Sequence, residues 1–136
     1  MDEIDQQLLT EAENALGLAY APYSKFLVGA AILSDDGNIY AGCNVENAAY
    51  PLGNCAEASA ISAMIMGGGK HIVRALTVGS GDRPVTPCGG CRQRIREFAT
   101  FDVPVTCVGI DGGEPLFTSI EKLLPHSFGP QFLPKE

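Results

Sequence analysis

The sequence predicts an α/β fold: a three-layer α/β/α sandwich around a central five-stranded mixed sheet. Three observations carry this expectation. A helical apolar pattern opens the chain, two short strand-like runs joined by a turn follow, and helix and strand patterns then alternate to about residue 124. At 136 residues, 46% hydrophobic and only 18% charged, the chain is long enough for a real core and is expected to form one domain over 1–136.

Ile4, Leu8, Leu9, Ala12, Ala15, Leu16 and Ala19 recur at helical spacing, so a helix is expected over 2–18, ending near Gly17 and before Ala21-Pro22. Apolar runs over 26–33 and 38–43, separated by Ser34-Asp35-Asp36-Gly37, read as a hairpin. Residues 44–54 are small and polar and contain Pro51 and Gly53, so they read as a loop. A helix over 55–66 has apolar residues on nearly every face and is expected to be buried, until Gly67-Gly68-Gly69 ends it. A third strand is expected over 72–78, a second buried helix over 88–98 and a fourth strand over 103–110. Asp111-Gly112-Gly113 then turns the chain toward a weak fifth strand at 116–117 and a helical turn at 120–124.

Sixteen acidic residues against nine basic ones give a formal charge of −7. A protein that tracks a polyanion needs cations to displace its counterions, so nucleic acid is not the expected partner and a small molecule is favoured. No apolar run approaches the roughly 20 residues of a membrane span. The acidic start MDEIDQQLL resembles neither a signal nor a transit peptide. Five cysteines, an odd number, then point to a reducing compartment, expected to be the cytoplasm, where closely spaced cysteines mean metal or redox chemistry.

Three of those cysteines fall at predicted helix starts. Cys55 lies in Asn54-Cys55-Ala56-Glu57, and Cys88 and Cys91 lie in Pro87-Cys88-Gly89-Gly90-Cys91. A helix N-terminus favours thiolates, so lowered thiol pKa values are expected there. Three thiolates fill three positions of a tetrahedral zinc ion and leave the fourth open, as in catalytic sites. For a Cys-x-x-Cys pair alone, a redox couple and a structural zinc module together are the better account. Glu57 discriminates, because a carboxylate in a helix otherwise built of Ala, Ile, Ser and Met is costly unless used. Cys-Ala-Glu followed by Pro-Cys-x-x-Cys is also the pattern of zinc deaminases acting on nucleobases, with cysteine replacing the usual histidine. Cys43 and Cys107 sit inside strand patterns and read as small buried hydrophobes.

Five stretches occur in order: YAPYSKFLVGAAI (20–32), GCNVENAAY (42–50), NCAEAS (54–59), PCGGCRQ (87–93) and LLPHSFGP (123–130). Together they resemble the small, all-cysteine cytidine deaminases, the homotetrameric branch of that family. The resemblance implies one Zn²⁺ per subunit held by Cys55, Cys88 and Cys91, with Glu57 as the proton-transfer residue. It implies hydrolytic deamination of cytidine and 2′-deoxycytidine, a pyrimidine salvage reaction. Asn44 and Glu46 match residues that bind the ribose hydroxyls, Phe26 the aromatic that packs on the pyrimidine, and Ala56 a backbone contact to the base. Phe128 matches an aromatic reaching a neighbouring subunit's ligand, with Tyr50 near that interface. Deaminases of blasticidin S share the cysteine motifs, but residues 44–50 match the ribose-binding loop. The chain departs from the family at Ala58, where many members carry an arginine that hydrogen-bonds the thiolates. The balancing charge is then expected from the two helix N-termini and Arg92.

Overall fold

A computed structural model describes residues 1–134. Among them the chain forms helices α1 (Glu3–Leu16), α2 (Ala56–Met66), α3 (Gly89–Phe98) and α4 (Ile120–Leu123). The strands are β1 (Val28–Ser34), β2 (Ile39–Cys43), β3 (Ile72–Gly79), β4 (Pro104–Gly109) and β5 (Gly112–Ser119). They make one mixed sheet in the order β2-β1-β3-β4-β5, in which only β3 and β4 are hydrogen-bonded in parallel. No helix among the described residues is long and apolar enough to cross a membrane.

The connections explain where the helices lie. β1 is antiparallel to both β2 and β3, so β2 runs parallel to β3 with β1 between them. Both α2 and α3 are therefore crossovers between parallel strands, and both move the same way along the sheet. Right-handed crossovers in one direction place both helices on one face. Their N-termini then share the end of the sheet where β2, β3 and β4 finish.

The period-two alternation of strands builds a core on each face. Ala30, Ile32, Ala75, Val105 and Cys107 pack with Ala56, Ala60 and Met64 of α2 and Ile95 of α3. Ala31, Leu76 and Val78 pack on Leu8, Ala12 and Leu16 of α1. The result is the expected three-layer sandwich.

Two glycines set how closely the layers approach. A Cβ on Gly29 would overlap the carbonyl oxygen of Ala12 in α1. A Cβ on Gly42 would overlap the Ala60 backbone nitrogen and stand 2.6 Å from the Ala56 oxygen, both in α2. Backbone thus packs directly against backbone at β2, which fixes the height of the first turn of α2.

Several expectations need correction. The first strand begins at Val28, not Phe26, because Lys25 takes a left-handed conformation (φ 61°) that breaks the extended run. α2 and α3 are buried along one face only: Ile65 and Met66 are exposed, and α3 buries Cys91, Ile95 and Arg96 alone. β5 spans eight residues rather than two. Pro115 falls where the β4–β5 register shifts, a place where an edge strand tolerates proline.

Replacing Gly42 by alanine is expected to destabilise the fold by about 1–3 kcal/mol or more, the usual cost of overpacking, because both clashing atoms are backbone. Urea unfolding measures this; an unchanged midpoint would show that α2 can shift freely against β2.

Candidate metal centre and active site

The two crossovers deliver Cys55 and Cys88 as the N-cap residues of α2 and α3, each with extended backbone, while Cys91 sits in the first turn of α3. The Sγ atoms of Cys55 and Cys88 are 3.9 Å apart, and all three sulfurs lie within 4.8 Å of one another. This is too long for a disulfide. A tetrahedral ion with Zn–S bonds of ~2.3 Å separates its sulfurs by about 3.8 Å, so the donor set fits zinc in kind and spacing. Among the described residues it is the one group of three or more His, Cys, Asp or Glu side chains with ligand atoms so close. Cys107 is in the core, as expected, and His71 pairs instead with Asp35 at 3.0 Å on the surface.

The thiols do not behave as helix position alone predicts. Burial pushes Cys55 and Cys91 up, Cys91 strongly, and neighbouring negative charge adds to both. Cys88 alone is lowered: burial opposes this, but hydrogen bonds from the Cys91 amide and from the other two thiols outweigh it. The expected lowering is met at Cys88 and corrected at Cys55 and Cys91. Crowding and desolvation win over the helix N-termini, and loading a metal must displace protons.

Glu57, also in the first turn of α2, is only 6% exposed. Burial raises its carboxyl above the usual range, offset in part by its own backbone amide, by Cys91 and by the charge of Arg94. A buried carboxyl raised this way, close to the cysteine cluster, suits general acid–base work.

A cavity of about 450 Å³ opens onto Glu57, Cys55 and Cys88, and Phe26, Asn44, Glu46, Ala56 and Tyr50 also line it. It lies at the carboxyl ends of the strands, where open α/β sheets bind ligands. A wider depression of about 620 Å³ lies at the opposite end, around His71, Val73 and Phe101, away from the cysteine cluster.

The structure brings most of the expected site residues together. Phe26 is 41% exposed and forms part of the cavity wall rather than the core. Asn44 has a second task not visible in the sequence: its Nδ2 donates to the Phe26 oxygen and its Oδ1 accepts from the Val28 amide, both at 2.9 Å. It thereby clamps the entry to β1. The Glu46 carboxylate accepts from the Tyr23 and Ser24 amides, at 3.0 and 3.2 Å, and from the Ser24 hydroxyl. The hydroxyl bond is the main cause of a lowered carboxyl pKa, so Glu46 is held as an anion. Phe128 is not in this cavity; it is exposed, stacks on Phe132 at 5.2 Å, and has its carbonyl held by Gln93 Nε2 at 2.8 Å.

Arg92 does not balance the thiolates. Its guanidinium is committed to the Pro87 and Leu123 oxygens, at 2.8 and 2.9 Å, and to the Thr86 hydroxyl at 3.2 Å. Arg94 is the arginine at the cluster, with Nη1 3.4 Å from Cys91 Sγ. The signal for it was present in the sequence, since Arg94 follows Cys91 by three residues in a helix.

Comparison with known proteins agrees with this geometry. Residues 2–115 match the cytidine and deoxycytidylate deaminase zinc-binding region. A cytidine deaminase of Sporosarcina psychrophila is 42% identical over 128 residues, covering 94% of this chain and 93% of its own. One from Mycobacterium tuberculosis is 36% identical over 138 residues, covering 100% and 98%. The crystal structure of cytidine deaminase from Burkholderia pseudomallei superposes with a TM-score of 0.85 at 38% identity, covering 94% of this chain and all of that one. A matched region spanning most of the chain, and relatives of nearly equal length, place it in the cytidine and deoxycytidylate deaminase family.

Proposed function

We propose that this chain catalyses the hydrolytic deamination of cytidine and 2′-deoxycytidine to uridine and 2′-deoxyuridine, with release of ammonia. The observation that carries this reading is a buried carboxyl, Glu57, lining the same cavity as Cys55 and Cys88 of the three-cysteine cluster. The family and its zinc-binding region support cytidine as the substrate and zinc as the cofactor.

Cys55, Cys88 and Cys91 would hold the ion. When bound, zinc lowers the pKa of a water and so supplies a nucleophile near neutral pH. Glu57 accepts the proton this water loses and passes it to ring N3 as C4 becomes tetrahedral. The carboxylate then takes the proton of the new C4 hydroxyl and carries it to the exocyclic amine, so that the C4–N bond breaks, ammonia leaves and the C4 carbonyl forms. One side chain thus serves as base and acid. Asn44 and Glu46 bind the ribose hydroxyls, Phe26 lies against the pyrimidine face, and the Ala56 backbone meets the base edge. Tyr23 and Ser24 keep Glu46 ionised and oriented for its role. The protein works as a cytoplasmic homotetramer, in which Phe128 reaches a neighbouring subunit's ligand and Tyr50 lies near that interface; both are exposed in the single chain, at 55% and 76%.

Glu57→Gln keeps the size and the hydrogen-bonding atoms but removes the base. It is expected to retain zinc and lose turnover by about 10²–10⁴-fold or more, measured by the ultraviolet change on cytidine loss. Near-normal turnover in the zinc-loaded variant would refute the role.

Burial raises the Glu57 carboxyl, and the base must be ionised before substrate binds. kcat/KM should therefore fall toward acid through a pKa above the ordinary glutamate value of about 4.3. A pH–rate profile with its acid limb at or below that value would contradict this assignment.

If neighbouring subunits complete the site, dilution that separates them should abolish activity. Sedimentation and assay at matched concentrations decide this, and a fully active monomer would exclude a shared site.

A further inference from the structure

Zinc with three thiolates carries a net charge of −1. Negative charge gathered in a partly desolvated pocket calls for a cation close by. On α2 the residue after Glu57 is Ala58, which offers none. On α3, Arg92 is turned away to the Pro87 and Leu123 carbonyls.

Arg94 remains. It stands one helical turn beyond Cys91, on the same side of α3, and donates from Nη1 to Cys91 Sγ at 3.4 Å. Gly90 makes room for it: a Cβ there would lie 3.3 Å from the same Nη1, tighter than ordinary contact. The guanidinium has no competing carboxylate, since the salt bridges among the described residues belong to His71 and Arg74.

We propose that Arg94 is the counter-charge of the metal centre, acting through its hydrogen bond to Cys91, so that the balancing cation comes from α3 rather than α2. The proposal rests on the zinc reading given above. Arg94 is a positioning residue and need not touch the substrate. A charged hydrogen bond draws electron density from the sulfur, which weakens its donation and leaves the metal more electrophilic.

The test compares wild type with Arg94→Met, Arg94→Lys and Arg94→Gln, each loaded with zinc or with cobalt(II). Zinc affinity is measured by competition with a chromophoric chelator at one pH, and the sulfur-to-cobalt charge-transfer band is recorded in the near ultraviolet. Arg94→Met and Arg94→Gln are expected to lose about 10–100-fold in affinity, the range for partners of metal ligands. Their band should move to longer wavelength, because the sulfur lone pairs rise in energy. Arg94→Lys, which keeps the charge, should fall between them and wild type. A structural role for Arg94 would leave the band in place. Affinities within twofold of wild type with an unmoved band overturn the proposal. Wild-type protein that takes up no zinc overturns the zinc reading and this inference with it. Should methionine prevent folding, the glutamine and lysine variants give the same decision.

Discussion

The site depends on two helix N-termini being brought to one point, and the sheet dictates that point. β2, β3 and β4 run in one direction, so the chain must cross back twice, and both crossings turn the same way. α2 and α3 therefore begin side by side at the carboxyl ends of the strands. Residues 33 positions apart in sequence become N-caps whose sulfurs are 3.9 Å apart. Gly42 refines this placement, since any side chain there would push the first turn of α2, and with it Cys55 and Glu57, off the sheet.

Convergence has an electrostatic cost. Cys91 and Glu57 are buried and Cys55 is half-buried, with only Cys88 exposed, and the shifts of Cys55, Cys91 and Glu57 all oppose ionisation. The two helix N-termini do not outweigh this, as only the Cys88 thiol is lowered. A full positive charge on Arg94, reaching Cys91 directly, is a stronger compensation than partial charges from backbone amides.

Much of this was legible in the sequence. The spacing of apolar residues located α1 to α3 and β1 to β4 to within a few positions, and Cys-Ala-Glu with Pro-Cys-x-x-Cys marked the centre. What escaped depended on side-chain direction or on local backbone conformation. Arg92 is adjacent to Cys91 in sequence, but neighbours on a helix point about 100° apart, and it is Arg94 that shares the face. Phe26 continued an apolar run on paper, yet the φ of 61° at Lys25 places it outside the strand, on the cavity wall. β5 carried little pattern because glycines, Pro115 and polar residues make up most of it, and pairing with β4 stabilises it instead. Asn44 looked like a ligand-binding residue alone, while its amide also joins Phe26 and Val28.

Glu57 ties function to stability. Its folded pKa is raised by burial, so its favourable contribution to the metal-free fold is complete below the unfolded value of roughly 4.3 and is lost as pH rises through the folded value. Near neutrality the metal-free protein must bury a charge or hold a proton there. Proton transfer at the site draws on that same tension, because a carboxylate that is costly to keep ionised takes up a proton readily. The fold thus gives up some stability at Glu57 and recovers it when the thiolates take up a metal, since ligand binding to the native state is itself folding free energy.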